Sequence, residues 1–260
     1  RPPRSTLFPF TTLFRSVKQG YKAITLLGQN VNSYGLDKPN EEISFAELLE
    51  KIGQLSDSSP EEFWVYFTSP HPSDMDPKVF EVIAQHRCLA KQIHLPLQSG
   101  DEKLLIHMNR RHDVETYREL VTKLRATLPQ ATLFTDIIVG FCGETEEQFQ
   151  NTVETFKEFR FNMAYIAQYS PRPGAASYRW DDDVPINVKK ERHLRLTEVL
   201  KRISLEHNLK LVGQTVKVLV TGTEQRTPYL TGYTEGRLVT RILATDGSLI
   251  GKIVTVKITI

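Results

Sequence analysis

From residue 23 to residue 169 the chain alternates short apolar runs with stretches of helical periodicity. That alternation restricts it to parallel strands joined by helices through right-handed crossovers. The runs cover 23–27, 63–67, 92–97, 133–139 and 164–169; the fourth is nearly all apolar, as parallel strands buried on both faces are. Between them, Phe45, Leu48, Leu49, Ile52 and Leu55 share one helical face, and Pro77 opens a short helix. Asp113 is placed to cap a helix that presents Tyr117, Leu120, Val121, Leu124 and Leu128 and ends at Pro129. Thr145 and Gln148 form a capping box ahead of Phe149, Val153, Phe156 and Phe159. Asn187 is expected to cap a long charged helix reaching about residue 211.

Beyond Gly213 the pattern changes to alternation with a period of two, over 215–220, 229–233, 237–243 and 253–260. The expected fold is α/β: over 17–207 a partial β/α barrel, which length favours over a doubly wound sheet although periodicity alone does not decide between them, then a small antiparallel β-barrel over 208–260. The 260 residues suffice for both. Residues 1–16 read RPPRSTLFPFTTLFRS and resemble a translated sequencing adapter. They are expected to be a disordered read-through scar, with the native reading frame continuing upstream.

Net charge is only +2, but residues 208–260 carry seven basic side chains against three acidic ones. A basic module points to nucleic acid, although a solvated surface accounts for the charge equally well. No apolar run approaches the roughly 20 residues that span a bilayer. The two cysteines, Cys88 and Cys142, fit a cytoplasmic protein and cannot by themselves build a zinc or iron–sulfur site.

In parallel β/α folds ligands bind beyond the carboxyl ends of the strands. Each run here ends in polar or turn-forming residues: Gln29, Asn30, Asn32 and Ser33; Ser69 and His71; Gln98 and Ser99; Gly140, Gly143 and Glu144; Gln168, Ser170 and Arg172. Asp136 interrupts an apolar strand, where a carboxylate is costly unless it is bonded or paired. It either orients a ligand or cation inside the barrel or bonds locally. The segment 140–143 ahead of a capped helix either offers backbone N–H groups to a ligand or forms a tight turn. Cys142 is a reactive thiol or, more simply, a packed one, and His94 reads as core.

Five of these segments, in order, carry a resemblance. GQNVNSYG at 28–35, FTSPHP at 67–72, HLPLQSG at 94–100, TDIIVGFCGET at 135–145 and QYSPRPG at 168–174 are similar to MiaB-type tRNA methylthiotransferases. These are radical S-adenosylmethionine (SAM) enzymes, and the tail resembles their RNA-binding TRAM β-barrel. The resemblance implies two 4Fe-4S clusters, one in an N-terminal domain and one on a Cys-x3-Cys-x2-Cys motif after the first barrel strand. It implies methylthiolation at C2 of an N6-isopentenyl adenosine beside the anticodon of tRNA, at position 37. It also implies SAM near Asn30, Gln98, Ser99, Asp136 and Gln168, and substrate or SAM near His71 and Arg172. RNA phosphate would meet Lys217, Arg237, Arg241 and Lys252.

The chain departs from this pattern in lacking both cysteine triads, so no metal ligands are assigned and the chain as it stands is expected to be an inactive, monomeric fragment. Two other readings are an RNA-binding module alone and a methylthiotransferase acting on a ribosomal protein. Asn30-Val31-Asn32 disfavours the latter, whose members typically carry Asp-Thr-Thr there. An unrelated barrel lyase would need a catalytic lysine or metal ligands at the strand tips, and none stands out.

Overall fold

A computed structural model describes residues 8–38, 41–244 and 247–259. The elements run α1 (Phe8–Lys18), β1 (Ala23–Leu26), α2 (Phe45–Asp57), β2 (Trp64–Phe67), α3 (Lys78–Gln85), β3 (Gln92–His94), α4 (Glu102–His107) and α5 (Val114–Thr127). They continue with β4 (Thr132–Val139), α6 (Glu146–Phe159), β5 (Met163–Gln168), α7 (Ile186–Leu209), β6 (Thr215–Thr223), β7 (Tyr229–Thr234), β8 (Val239–Leu243) and β9 (Ile253–Lys257). Strand–helix alternation gives mixed α/β structure in which β1 pairs with β2, and β4 with β5, in parallel. Among the described residues no helix is long and apolar enough to cross a membrane.

The chain divides into two compact units. One gathers the described residues up to Gln92, the segment Leu124–Ala131 and the residues from Leu211 onward; the other holds Ile93–Lys123 and Thr132–Lys210. The C-terminal strands, from Leu211 onward, group in one unit with β1 and β2.

In the first unit α2 lays Phe45, Leu48, Leu49 and Ile52 inward behind a Ser44–Glu47 capping box. All four residues of β2 are buried. The C-terminal strands form an open antiparallel sheet in the order β8-β7-β6-β9, not a closed barrel: among the described residues β8 and β9 are its two edges. Gly232 is needed in β7, since a Cβ there would lie 2.3 Å from the Leu219 carbonyl oxygen. Trp64, Tyr66, Ala90 and Leu219 share a core with Tyr233 and Ile253 against it.

In the second unit the order is β3-β4-β5. Along β4 the residues Leu133, Thr135, Ile137 and Val139 are buried, while Phe134, Asp136 and Ile138 are half-buried, the two faces alternating as a strand requires. Asp113 does cap α5, accepting from the Thr116 N–H at 2.7 Å, and Thr145 and Gln148 close the box on α6.

Three expectations need correction, and one element was missed. The disorder expected over 1–16 does not hold for its described part: α1 buries Leu13 and Val17, and Phe14 meets Phe63 edge-on at 6.2 Å. Residues 1–7 lie outside the described residues. Asn187 does not cap α7, which begins one residue earlier behind Pro185, whose ring restricts the entry dihedral. The β3 ladder stops at His94, because Pro96 has no N–H and Gln98 turns to a φ of 74°. The short helix α4 carries too little periodicity to be read from sequence.

Candidate functional site

In the second unit the chain past β3 continues beside β4. Leu95 and Gln98 donate their backbone N–H groups to Phe134 and Asp136, each at 2.8 Å, and Ile138 donates back to Gln98 at 3.0 Å. This places Gln98 at the carboxyl tip next to the Asp136 strand. Asp136 sits mid-strand, and its carboxylate meets the Nε2 of His94 at 3.0 Å. The His94 ring stacks on Phe134 with centroids 4.5 Å apart. His94, read from sequence as core, is thus the partner that makes the carboxylate tolerable in an apolar strand.

Arg110, which sequence reasoning missed, completes this cluster. Its Nη2 donates to Gln98 Oε1 at 3.0 Å. Among the described residues its Nε, which is buried, has no hydrogen-bond partner. Burial disfavours the charged guanidinium, and the nearby Asp136 carboxylate opposes that. An arginine keeps its charge regardless, so the cluster holds a cation with donors to spare. The only sequence signal would have been a basic residue in the turn after α4. Tyr165 was also missed: it pairs with Asp136 across the β4–β5 ladder, shares its face and is 65% exposed.

The other expected residues are placed less alike. Gln168 ends β5 in register with Val139, so it alternates to the face opposite Asp136. Ser99 is fully buried and turned toward α6: its Oγ lies 3.3 Å from Thr152 Oγ1 and accepts from the Asp101 N–H at 3.2 Å. Arg172 is exposed in the loop after β5. The segment 140–143 is a tight turn whose glycine N–H groups are taken. Gly140 donates to Glu144 Oε2 at 2.6 Å and Gly143 to Asp183 Oδ1 at 2.7 Å. Burial pushes the Glu144 carboxyl up, against the pull of the Gly140 N–H and of Arg192, which bonds it at 2.8 Å. Cys142 is packed with Leu104 and Phe141.

In the first unit the tips of β1 and β2 are tied together. Asn30 Nδ2 and Ser33 Oγ both donate to Asp74 Oδ2, at 3.0 and 2.7 Å. The Asn32 amide clamps the His71 backbone, accepting at 2.7 Å and donating at 2.9 Å. Asn30 and His71 are therefore brought into one loop cluster.

Three of the four residues expected at RNA phosphate are engaged by the protein. Lys217 pairs with Glu62, and Arg241 with Glu224. Arg237 lies over the Tyr66 ring at 4.0 Å and the Tyr233 ring at 5.0 Å, and its Nη2 donates to Thr25 Oγ1 at 3.3 Å. It is directed into its own unit. Lys252 is exposed.

The site's fit to the groups implied by the resemblance differs between the two. Gln98, Arg110, Asp136 and His94 offer an anion-binding fork, an amide and a fixed carboxylate, suited to the carboxylate and hydroxyl groups of SAM. The cysteines do not fit a cluster. Cys88 and Cys142 are both buried, burial pushes the Cys88 thiol up, and three thiolates are required. Among the described residues no group of three or more His, Cys, Asp or Glu could hold a metal ion.

Residues 12–156 match the model of the radical SAM superfamily. The chain is 45% identical, over 94% of its length, to the tRNA-2-methylthio-N(6)-dimethylallyladenosine synthase of Oceanobacillus iheyensis, of which it covers 46%. It is 42% identical over 94% of its length to the same-named protein of Bacillus velezensis, of which it covers 47%. The chain thus spans about half the length of the curated relatives it matches. Coproporphyrinogen III oxidase of Escherichia coli superposes with a TM-score of 0.50 at 14% identity, over 77% of this chain and 51% of that one, a likeness of fold alone.

Proposed function

The chain belongs to the radical SAM superfamily, and from that premise we propose that it is the SAM-holding and RNA-contacting part of a tRNA methylthiotransferase. The reaction would be methylthiolation at C2 of N6-isopentenyl adenosine next to the anticodon. The observation that carries the SAM assignment is Arg110: a half-buried arginine, held in place by Gln98 beside Asp136, whose Nε finds no acceptor among the described residues. When bound and reduced by one electron from a donor outside these residues, SAM would be split into methionine and a carbon radical able to take hydrogen from an unactivated C–H bond.

The residues of this chain bind and orient. Arg110 would take the SAM carboxylate, Gln98 would keep the guanidinium in place, and Asp136, steadied by His94, would accept from hydroxyl groups. Asn30 and His71 are assigned to cofactor and substrate by resemblance alone, as are Gln168 and Arg172. Ser99 is better read as the anchor of the Gln98 tip to α6. No step is derived through a 4Fe-4S cluster, because Cys88 and Cys142 do not fit one; its ligands would come from outside these 260 residues. For RNA, the exposed basic residues of the C-terminal sheet, Lys252 first, would meet phosphate.

The test uses the chain as it is, with an anticodon stem-loop RNA carrying N6-isopentenyl adenosine. The expected result is salt-sensitive binding of the RNA, retention of SAM in equilibrium dialysis, and no methylthio product by mass spectrometry. Absence of RNA binding at low salt would sink the tRNA reading, and product formed by the chain alone would sink the assignment of the cluster to other residues.

A further inference from the structure

The last residue of α4 and the loops after β4 and β5 meet in a ladder of rings. His107 stacks on Trp180 with centroids 4.5 Å apart and planes 15° from parallel. Phe141 meets both edge-on, at 5.5 and 5.9 Å, and Tyr169 meets Phe141 at 4.8 Å. The foot of this ladder is in the core, since Phe141 is 6% exposed. Its head is in solvent: Trp180 is 38% and its neighbour Tyr178 51% exposed. A ring held this way loses little freedom when something stacks on it.

The loop that carries the head also carries two exposed guanidinium groups. Arg172 and Arg179 are exposed in the same loop. Of the three aspartates that follow, Asp182 is held by Lys189 and Asp183 accepts from the Gly143 N–H. The ladder also begins three residues before Arg110, so it adjoins the strand tips where a substrate base has to arrive. Unpaired RNA bases are bound by stacking on aromatic rings and guanidinium planes, which offers a π-face to any base.

Resting on the reading of the chain as a tRNA-modifying protein, we propose that Trp180, backed by His107, forms with Tyr178, Arg172 and Arg179 the surface on which unpaired bases of the RNA loop stack. This is a contact to loop bases, separate in kind from the phosphate contacts of the C-terminal sheet.

Tryptophan fluorescence tests it, because Trp64 is 2% exposed and Trp180 is the solvent-reached member of the pair. The whole chain is titrated with a hairpin RNA that has an unpaired loop, and with a blunt duplex of the same stem. The expected result is that the hairpin alone quenches Trp180 and binds more tightly. Trp180→Ala should weaken hairpin binding roughly 10-fold and leave duplex binding unchanged. Because Trp180 also packs on His107, Tyr178→Ala combined with Arg179→Gln serves as the second variant, with the same expected loss. Hairpin binding at wild-type strength in that double variant, or equal binding of hairpin and duplex by the wild type, overturns the stacking surface. A wild type that binds neither RNA overturns the tRNA reading itself, and this surface with it.

Discussion

Arg110 donates one N–H to Gln98 and finds no acceptor at Nε among the described residues, although that atom is buried. A buried donor left without a partner costs roughly 1–3 kcal/mol, and in the proposed reading an acceptor on SAM offsets part of that cost. Arg110→Ala should therefore weaken SAM binding about 10- to 100-fold, the worth of a charge-assisted hydrogen bond, with little loss of thermal stability. Arg110→Lys restores the charge without the planar fork and should recover only part of that affinity. Equilibrium dialysis against labelled SAM measures both; wild-type affinity in Arg110→Ala would remove the residue from the site. Asp136 was legible from sequence because a carboxylate within an apolar strand is conspicuous by its cost. Its partners were not, because His94 and Arg110 lie far from it along the chain and only the β3–β4 pairing brings them together.

The elements were legible where periodicity is long and capped, as in α5 and α6; β3 was legible as a strand but not in where it ends, and the six-residue α4 was not legible at all. What fixes the Gln98 tip is a contact between elements that no local pattern reveals. The Gly100 N–H donates to Thr152 Oγ1 at 3.0 Å, and a Cβ at Gly100 would lie 2.4 Å from Thr155 Oγ1 and 2.7 Å from Thr152 Cα. The loop after β3 thus rides directly on the backbone of α6, with Ser99 bonded to the same threonine. Gly100→Ala forces the two apart and should destabilise the protein by about 1–3 kcal/mol, lowering the melting temperature. It should weaken SAM binding as well, since Gln98 and through it Arg110 shift with the loop. An unchanged melting temperature would mean that the loop yields freely and that Ser99 and Gly100 do not anchor the tip.

At the scale of the whole molecule, the C-terminal sheet was legible as alternating strands but not as part of the unit containing β1 and β2. The residue that joins them is one that the resemblance assigns to RNA phosphate. Yet Arg237 lies flat over Tyr66 and Tyr233 and bonds Thr25, while Lys91 pairs with Glu235 nearby at 3.4 Å. Burial pushes the Tyr66 phenol well up, so it stays neutral under the guanidinium. A desolvated cation–π contact contributes on the order of 2 kcal/mol, whereas a phosphate contact acts through released counterions. The two roles separate in one pair of variants measured for melting temperature and for RNA affinity against salt. Arg237→Gln should lower the melting temperature and leave the salt slope as it is. Lys252→Ala should leave the melting temperature alone and make the slope shallower by roughly 0.7 to 0.9. The reverse pattern, a shallower slope with no thermal loss in Arg237→Gln, would return Arg237 to the RNA surface and leave the joint between the sheet and β2 to the apolar contacts of Trp64, Leu219 and Tyr233.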